Sequence, residues 1–178
     1  MKDDGSIAVN PQLRLVLGGA RSGKSAFAES LIAASPPPWI YLATAEALDE
    51  EMAARIDKHQ ARRDWRWQTI EAPHRLCEAL AGAPEDAPVL IDCLSLWLTN
   101  RLLAGANLDV EIDALVEALA SRKVLTVAVS SEVGMTIVPE NALARAFRDA
   151  AGELHQAVAR VAGSVTLTVA GCPLQVKG

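Results

Sequence analysis

The chain has 178 residues, 22 acidic against 17 basic, and a formal net charge of −5, a balance that argues against a nucleic-acid backbone as partner and for a small-molecule substrate. Its length fits one domain of roughly 100–200 residues. Hydrophobic residues make up 51% and aromatics only 4%, so the core must be built of Ala, Val, Leu and Ile, which suits helices packed on a parallel sheet.

Residues 1–11 read as a loose tail ahead of a single domain at 12–178, with no apolar segment of signal-peptide type behind Met1. Leu13, Leu15, Val16 and Leu17 then read as a short buried strand. It runs into Gly18-Gly19-Ala20-Arg21-Ser22-Gly23-Lys24-Ser25, which fits the phosphate-loop pattern of glycine, four residues, glycine, lysine and a hydroxyl residue. In that pattern backbone N–H groups cradle phosphates, the lysine reaches the outer phosphates and the hydroxyl ligates Mg²⁺. The segment from Ser25 to Ala34 reads as the helix leaving the loop, with Phe27 and Leu31 on one face. Strand, loop and helix in that order place a nucleotide here.

Pro36-Pro37-Pro38 breaks the helix, and Trp39 to Ala43 has the composition of a second buried strand. Thr44 and Ala45 fall just past its carboxyl end, where ligands of open α/β sheets gather; for Thr44 a turn or helix cap is an equal reading. From Glu46 to about Arg62 the pattern is helical, with Leu48, Met52 and Ile56 spaced by four. His59 falls within that apolar stripe. By spacing alone it is either a core histidine or a catalyst. Arg62-Arg63 with Trp65 and Trp67 follows, then a short strand around Gln68 to Glu71, with His74 read as a solvated or capping residue and a short helix at 76–81.

Val89-Leu90-Ile91-Asp92 is an apolar strand ending in an acid, the usual second half of a phosphate-loop site, whose carboxylate holds Mg²⁺ through water. Cys93 beside it reads as core. Cys77, Cys93 and Cys172 are too widely spaced for a disulfide framework or zinc site, in keeping with a reducing cytoplasm. Leu94 to Leu103 is a helix or loop, and an amphipathic helix carries Ile112, Leu115, Val116 and Leu119 inward. Val124 to Val129 is a further strand delivering Ser130, Ser131 and Glu132 to the phosphate side. Glu132 could bind metal, position a water or accept a proton, or be a turn carboxylate.

Val138-Pro139-Glu140 is expected to open a long helix with Leu143, Phe147, Leu154, Val158 and Val161 on its core face, His155 structural, and Gly163 its stop. Val165 to Val169 and Leu174 to Val176 read as a hairpin with an antiparallel last strand. The longest uncharged run, Val161 to Val176, has 16 residues and is broken by glycine and proline, short of the about 20 a membrane span needs. The elements together predict a three-layer α/β fold of phosphate-loop NTPase type, mainly parallel with a C-terminal antiparallel strand.

Several stretches together resemble the bifunctional adenosylcobinamide kinase / adenosylcobinamide-phosphate guanylyltransferase family of cobalamin assembly, from Leu13 to Lys177. They are the loop at 18–25, Tyr41-Leu42-Ala43-Thr44-Ala45, Asp49 to Ile56 leading to His59, Asp92-Cys93-Leu94-Ser95-Leu96-Trp97, Glu132-Val133-Gly134, and Ile137-Val138-Pro139-Glu140-Asn141. The resemblance implies phosphorylation of adenosylcobinamide by ATP or GTP, then transfer of GMP from GTP onto the product through a covalent GMP–histidine at His59. It further implies nucleotide contact at Ala43, Thr44, Ala45, Gln60, Ala61, Arg62, Arg63, Glu71 and Asp92, and a homo-oligomer, a trimer, with sites near subunit boundaries. Ser131, Thr136 and Asp64 depart from the family's usual asparagine, glycine and proline. Two other readings make different predictions: a phosphate-loop small-molecule kinase without nucleotidyl transfer, and a nucleotide-binding regulatory module without chemistry.

Overall fold

A computed structural model describes residues 8–47, 50, 54, 56, 61 and 63–178. Its seven strands are β1 (Asn10–Gly18), β2 (Trp39–Ala43), β3 (Trp67–Glu71), β4 (Val89–Asp92), β5 (Thr126–Ser131), β6 (Ala162–Val169) and β7 (Cys172–Lys177). The helices whose full span lies among the described residues are α1 (Lys24–Ala33), α2 (Leu76–Gly82), α3 (Leu94–Leu103), α4 (Leu108–Ser121) and α5 (Ala142–Val161). One sheet runs in the order β3-β2-β4-β5-β1-β6-β7, parallel throughout except for the antiparallel β6–β7 hairpin.

Side chains alternate between the faces of the sheet with period two, and the core divides accordingly. Val16, Trp39, Tyr41, Leu90, Val127 and Val129 pack on one face with Ala28 and Ile32 of α1. Leu13, Leu15, Ile40, Leu42, Val89, Ile91 and Ala128 pack on the other, under buried residues of α2 to α5. Strands buried on both sides must be apolar at nearly every position, which is why they read as continuous apolar runs. Three layers result, as expected.

Several local expectations shift. β1 starts at Asn10, so Asn10 and Pro11 stand in the sheet; the buried Asn10 amide donates to the carbonyls of Leu119 (2.9 Å) and Arg122 (2.7 Å) at the end of α4. The segment 94–103 is helical. The long helix opens at Ala142, not at Val138: Asn141 accepts a hydrogen bond from Ala144 N at 3.1 Å, making it the N-cap and leaving Val138-Pro139-Glu140 as the approach. Leu143, one residue into that helix, is exposed, and the buried stripe starts at Ala150 and Ala151. Nor does Gly163 stop the helix, which passes at Ala162 directly into β6. Positions 50, 54 and 56 are helical, as the spacing predicts; Leu48, Met52 and His59 of the expected helix lie outside the described residues.

Candidate functional site

Parallel register brings the carboxyl ends of six strands to one edge. Gly18 of β1 pairs with Ser131 of β5 and Thr168 of β6, and Ala43 of β2 pairs with Glu71 of β3 and Asp92 of β4. The site is built on this edge.

The loop at 18–25 links β1 to α1. Gly23 has φ +93°, a left-handed conformation that an L side chain rarely adopts, and Phe27 N donates to its carbonyl at 3.0 Å to begin the helix. A Cβ on Gly18 would stand 2.4 Å from Ser22 Oγ and 2.7 Å from the Thr168 carbonyl. Both glycines are therefore fixed by geometry. The β6–β7 turn supports the loop from outside, Gly171 N donating to the Ser22 carbonyl at 2.8 Å. Gly19, Ala20 and Arg21 are exposed along the loop's rim, and Gly23, Lys24 and Ser25 are half-buried at the head of α1. Lys24 Nζ donates to the Gly19 carbonyl at 3.1 Å, so the ammonium lies back across the loop. Backbone N–H groups at a helix start, a lysine over them and a hydroxyl beside them form an anion cradle.

Asp92 ends β4, separated from β1 by β5. The Tyr41 hydroxyl, two residues back on the adjacent strand, donates to its Oδ2 at 2.9 Å. Burial, followed by the nearby Asp92 charge, pushes the Tyr41 phenol far above its ordinary range, so it remains a donor. Arg63 places its guanidinium 3.6 Å from the centre of the Tyr41 ring and its Nη1 3.3 Å from Thr69 Oγ1. This residue, expected at the nucleotide, stacks on the tyrosine that donates to Asp92.

Thr44 is fully buried. Its hydroxyl donates to the Cys93 carbonyl at 2.7 Å and accepts from Cys93 N at 2.8 Å, and its own carbonyl accepts from Asn100 Nδ2 at 2.9 Å. Asn100 also donates to the Pro73 carbonyl at 3.0 Å. Thr44 thereby ties the ends of β2 and β4 together. Ala43 and Ala45 flank it half-buried, and Glu71 and Ala61 are exposed; Gln60 and Arg62, like His59, lie outside the described residues. Cys93 is buried, and burial with the Asp92 charge pushes its thiol up to about 11, which suits a core residue and not a nucleophile.

On the other side, Glu132 N donates to the Gly18 carbonyl at 3.0 Å, so the β5 end is stitched to the phosphate loop. The Glu132 carboxylate accepts from Gly134 N at 2.6 Å and has its second oxygen 3.7 Å from His155 Nδ1. The other ring nitrogen of His155 lies 2.7 Å from Ser130 Oγ. Burial holds the His155 pKa below its ordinary value, against the pull of Glu132, so the ring is neutral near pH 7. His74, read as solvated, sits partly exposed with its Nε2 3.2 Å from Glu46 Oε1.

Tyr41, Asn100 and the Ser130–His155 pair were not singled out as site residues in the sequence. Each acts across 25 to 56 positions, and only the packed fold, strand against strand for Tyr41 and helix against strand end for Asn100 and His155, reveals the partner.

Residues 14–176 match the family described as cobinamide kinase / cobinamide phosphate guanyltransferase. The chain belongs to that family. A Pseudomonas aeruginosa relative named bifunctional adenosylcobalamin biosynthesis protein CobP is 47% identical over 167 residues, spanning 92% of this chain and 96% of its own. A Salmonella typhimurium relative named bifunctional adenosylcobalamin biosynthesis protein CobU is 42% identical over 180 residues, spanning 92% and 98%. Among solved structures, the flagellar accessory protein FlaH of Methanocaldococcus jannaschii superposes with a TM-score of 0.52 at 13% identity, over 98% of this chain and 83% of that one. An ATPase from the type III secretion system of pathogenic bacteria gives 0.56 at 12% identity, over 88% and 51%. These two likenesses concern the fold alone. The family match covers every element of the site from the phosphate loop to the β6–β7 turn.

Proposed function

We propose that this chain carries out both reactions of its family at one phosphate-binding loop: phosphorylation of adenosylcobinamide by ATP or GTP, then transfer of GMP from GTP to the phosphorylated arm. The observation that carries this reading is the loop at 18–25, held on the same sheet edge as Asp92 and Glu132. In the first reaction the arm hydroxyl attacks the γ-phosphorus and the bond to the β-phosphate oxygen breaks. Lys24 and the loop N–H groups hold the phosphates in line, the kind of positioning on which phosphoryl transfer chiefly depends.

In the second reaction an imidazole nitrogen of His59 attacks the α-phosphorus of GTP and pyrophosphate leaves. An oxygen of the cobinamide phosphate then attacks that phosphorus, the P–N bond breaks, and adenosylcobinamide-GDP forms with the histidine restored. A neutral imidazole is competent for this near pH 7, its ordinary pKa being about 6.5. Lys24 and the loop amides stabilise charge on the departing pyrophosphate.

The Ser25 hydroxyl and the Asp92 carboxylate are hard oxygen donors of the kind Mg²⁺ takes, with phosphate oxygens and water completing its shell. Mg²⁺ held there would draw charge from the phosphates. Tyr41 orients Asp92 for that contact by its 2.9 Å hydrogen bond. Ala43, Ala45, Gln60, Ala61, Arg62, Arg63 and Glu71 are assigned to the nucleotide's surroundings, Arg63 through Tyr41. No helix among the described residues is long and apolar enough to cross a membrane, and a cytoplasmic enzyme acting as a homotrimer belongs to the same proposal.

The test is turnover with GTP labelled at either end. γ-Label should appear in cobinamide phosphate, and α-label in cobinamide-GDP once that phosphate is supplied. γ-Transfer without α-transfer would reduce the protein to a kinase. GTP binding with neither would make it a regulatory module.

A further inference from the structure

Phosphorylation of a hydroxyl releases a proton, and no group assigned above takes it up. Asp92 accepts from the Tyr41 hydroxyl and is given to the cation, and Glu46 stands 3.2 Å from His74. Glu71 ends β3, at the far edge of the sheet from the phosphate loop. The loop's own strand, β1, lies between β5 and β6. β6 ends in Thr168 and Val169, which carry no ionisable group, whereas β5 runs directly into Glu132. Glu132 is also the acid fastened to the loop: Ser131 pairs with Gly18, and Glu132 N donates to the Gly18 carbonyl at 3.0 Å.

The carboxylate of Glu132 is held yet keeps room for a proton. Its Oε1 accepts from Gly134 N at 2.6 Å, and its Oε2 lies 3.7 Å from Nδ1 of buried His155, beyond hydrogen-bond length. Of the roughly four lone-pair positions a carboxylate offers, the bond from Gly134 occupies one among the described residues. The side chain is 20% exposed, so a substrate group and solvent can both reach it. Ser130, His155 and Glu132 together have the residue types of a nucleophilic triad, but Ser130 is fully buried and cannot meet a substrate. The open function on this edge is therefore the carboxylate's own.

We propose that Glu132 is the proton acceptor of the phosphorylation step and takes no part in guanylyl transfer. The proposal rests on the functional reading above. As the arm oxygen bonds to the γ-phosphorus, its proton passes to Glu132 Oε2, and the electron pair of the breaking P–O bond stays with the β-phosphate oxygen. The carboxyl then returns the proton to solvent through its exposed side. In the second reaction the attacking groups are a neutral imidazole and an ionised phosphate oxygen, neither of which must lose a proton to attack. One carboxylate thus serves one of the two transfers.

The test compares the full-length parent with Glu132→Gln and Gly134→Ala, using γ- and α-labelled GTP, calorimetry for GTP affinity and thermal unfolding. Glu132→Gln keeps an oxygen for Gly134 N but cannot take the proton, so kcat for γ-transfer to cobinamide should fall about a hundredfold or more. GTP affinity and α-transfer to supplied cobinamide phosphate should stay within about threefold of the parent. Gly134→Ala sets a Cβ 2.9 Å from Glu132 Oε1, the end of a flexible side chain, so the carboxylate moves while the fold holds. Its γ-transfer should fall about tenfold or more, with α-transfer again spared. Ordinary γ-transfer in Glu132→Gln, or both transfers slowed alike, would overturn the assignment and leave the functional reading in place. Weakened GTP affinity would make the carboxylate part of the nucleotide site and overturn it equally. If Glu132→Gln does not fold, parental γ-transfer in Gly134→Ala overturns it. A parent that transfers label from neither position would overturn the functional reading itself, and the assignment with it.

Discussion

Replacing Thr44 by Val keeps its branched shape and removes the hydroxyl that joins β2 to β4. In the parent that oxygen makes two short bonds, donating to the Cys93 carbonyl and accepting from Cys93 N, where both residues are buried. A methyl in its place leaves Cys93 N without that partner, while the Cys93 carbonyl keeps its bond from Trp97 N at 3.2 Å. At roughly 1–3 kcal/mol for the buried N–H left unpaired and about 1 kcal/mol for the lost bond to the carbonyl, the variant should lose about 2–4 kcal/mol. For a domain of this size, about 2–4 °C per kcal/mol predicts a fall in Tm of about 4–16 °C. Thr44→Ser keeps both bonds and loses one methyl, at about 1 kcal/mol. Urea and thermal unfolding of the three proteins measure the difference. Because Cys93 follows Asp92 directly, the Val variant should also bind Mg·GTP more weakly than the Ser variant. If Val and Ser are equally stable, the hydroxyl does not hold the strand ends together and the reasoning fails.

Gly18→Ala drives a Cβ to within 2.7 Å of a backbone carbonyl and 2.4 Å of Ser22 Oγ. Overpacking of this kind costs about 1–3 kcal/mol, and since the strain falls on the phosphate loop, calorimetry should show GTP affinity reduced about tenfold or more; ordinary affinity would mean the loop yields freely. Lys24→Ala should slow both transfers at least a hundredfold, read from γ- and α-label in the products, and loss of one alone would argue for separate phosphate sites. His155 is held below its ordinary pKa in the folded chain, so the unfolded chain takes up the proton first as pH falls. Its contribution is full above about pH 6.5 and declines as pH drops toward the lowered folded value. His155→Gln should therefore show a shallower loss of urea stability between pH 7.5 and 5 than the parent. Parallel losses in the two proteins would place the acid sensitivity elsewhere.

Much of the fold could be read from periodicity, because strands buried on both faces carry unbroken apolar runs and the phosphate loop fixes the order of strand, turn and helix around it. What escaped was local competition and long-range pairing. Val138-Pro139-Glu140 carries apolar and proline cues for a helix start, yet Asn141 is the stronger cap and moves the start to Ala142. Leu143 reads as the first core residue of α5, but two residues past the cap it stands exposed. Of the candidate site, the loop and Asp92 were legible because their chemistry is written in adjacent residues. The locking of Thr44 by Cys93 and of Asp92 by Tyr41 was not, since parallel register makes those pairs and no local pattern encodes it. His59 came from family resemblance, its spacing alone favouring a core histidine over a catalyst.

In the proposed reaction pair one phosphate loop serves two attacks, with His59 the nucleophile of the second. The most direct measurement is retention of label by the protein after incubation with α-labelled GTP and Mg²⁺, in the parent and in His59→Ala, with kinase turnover followed in the same samples. The parent should hold an acid-labile, base-stable adduct, and the variant should hold none while still phosphorylating cobinamide. Label persisting in the variant, or a variant equally dead as a kinase, would contradict the account.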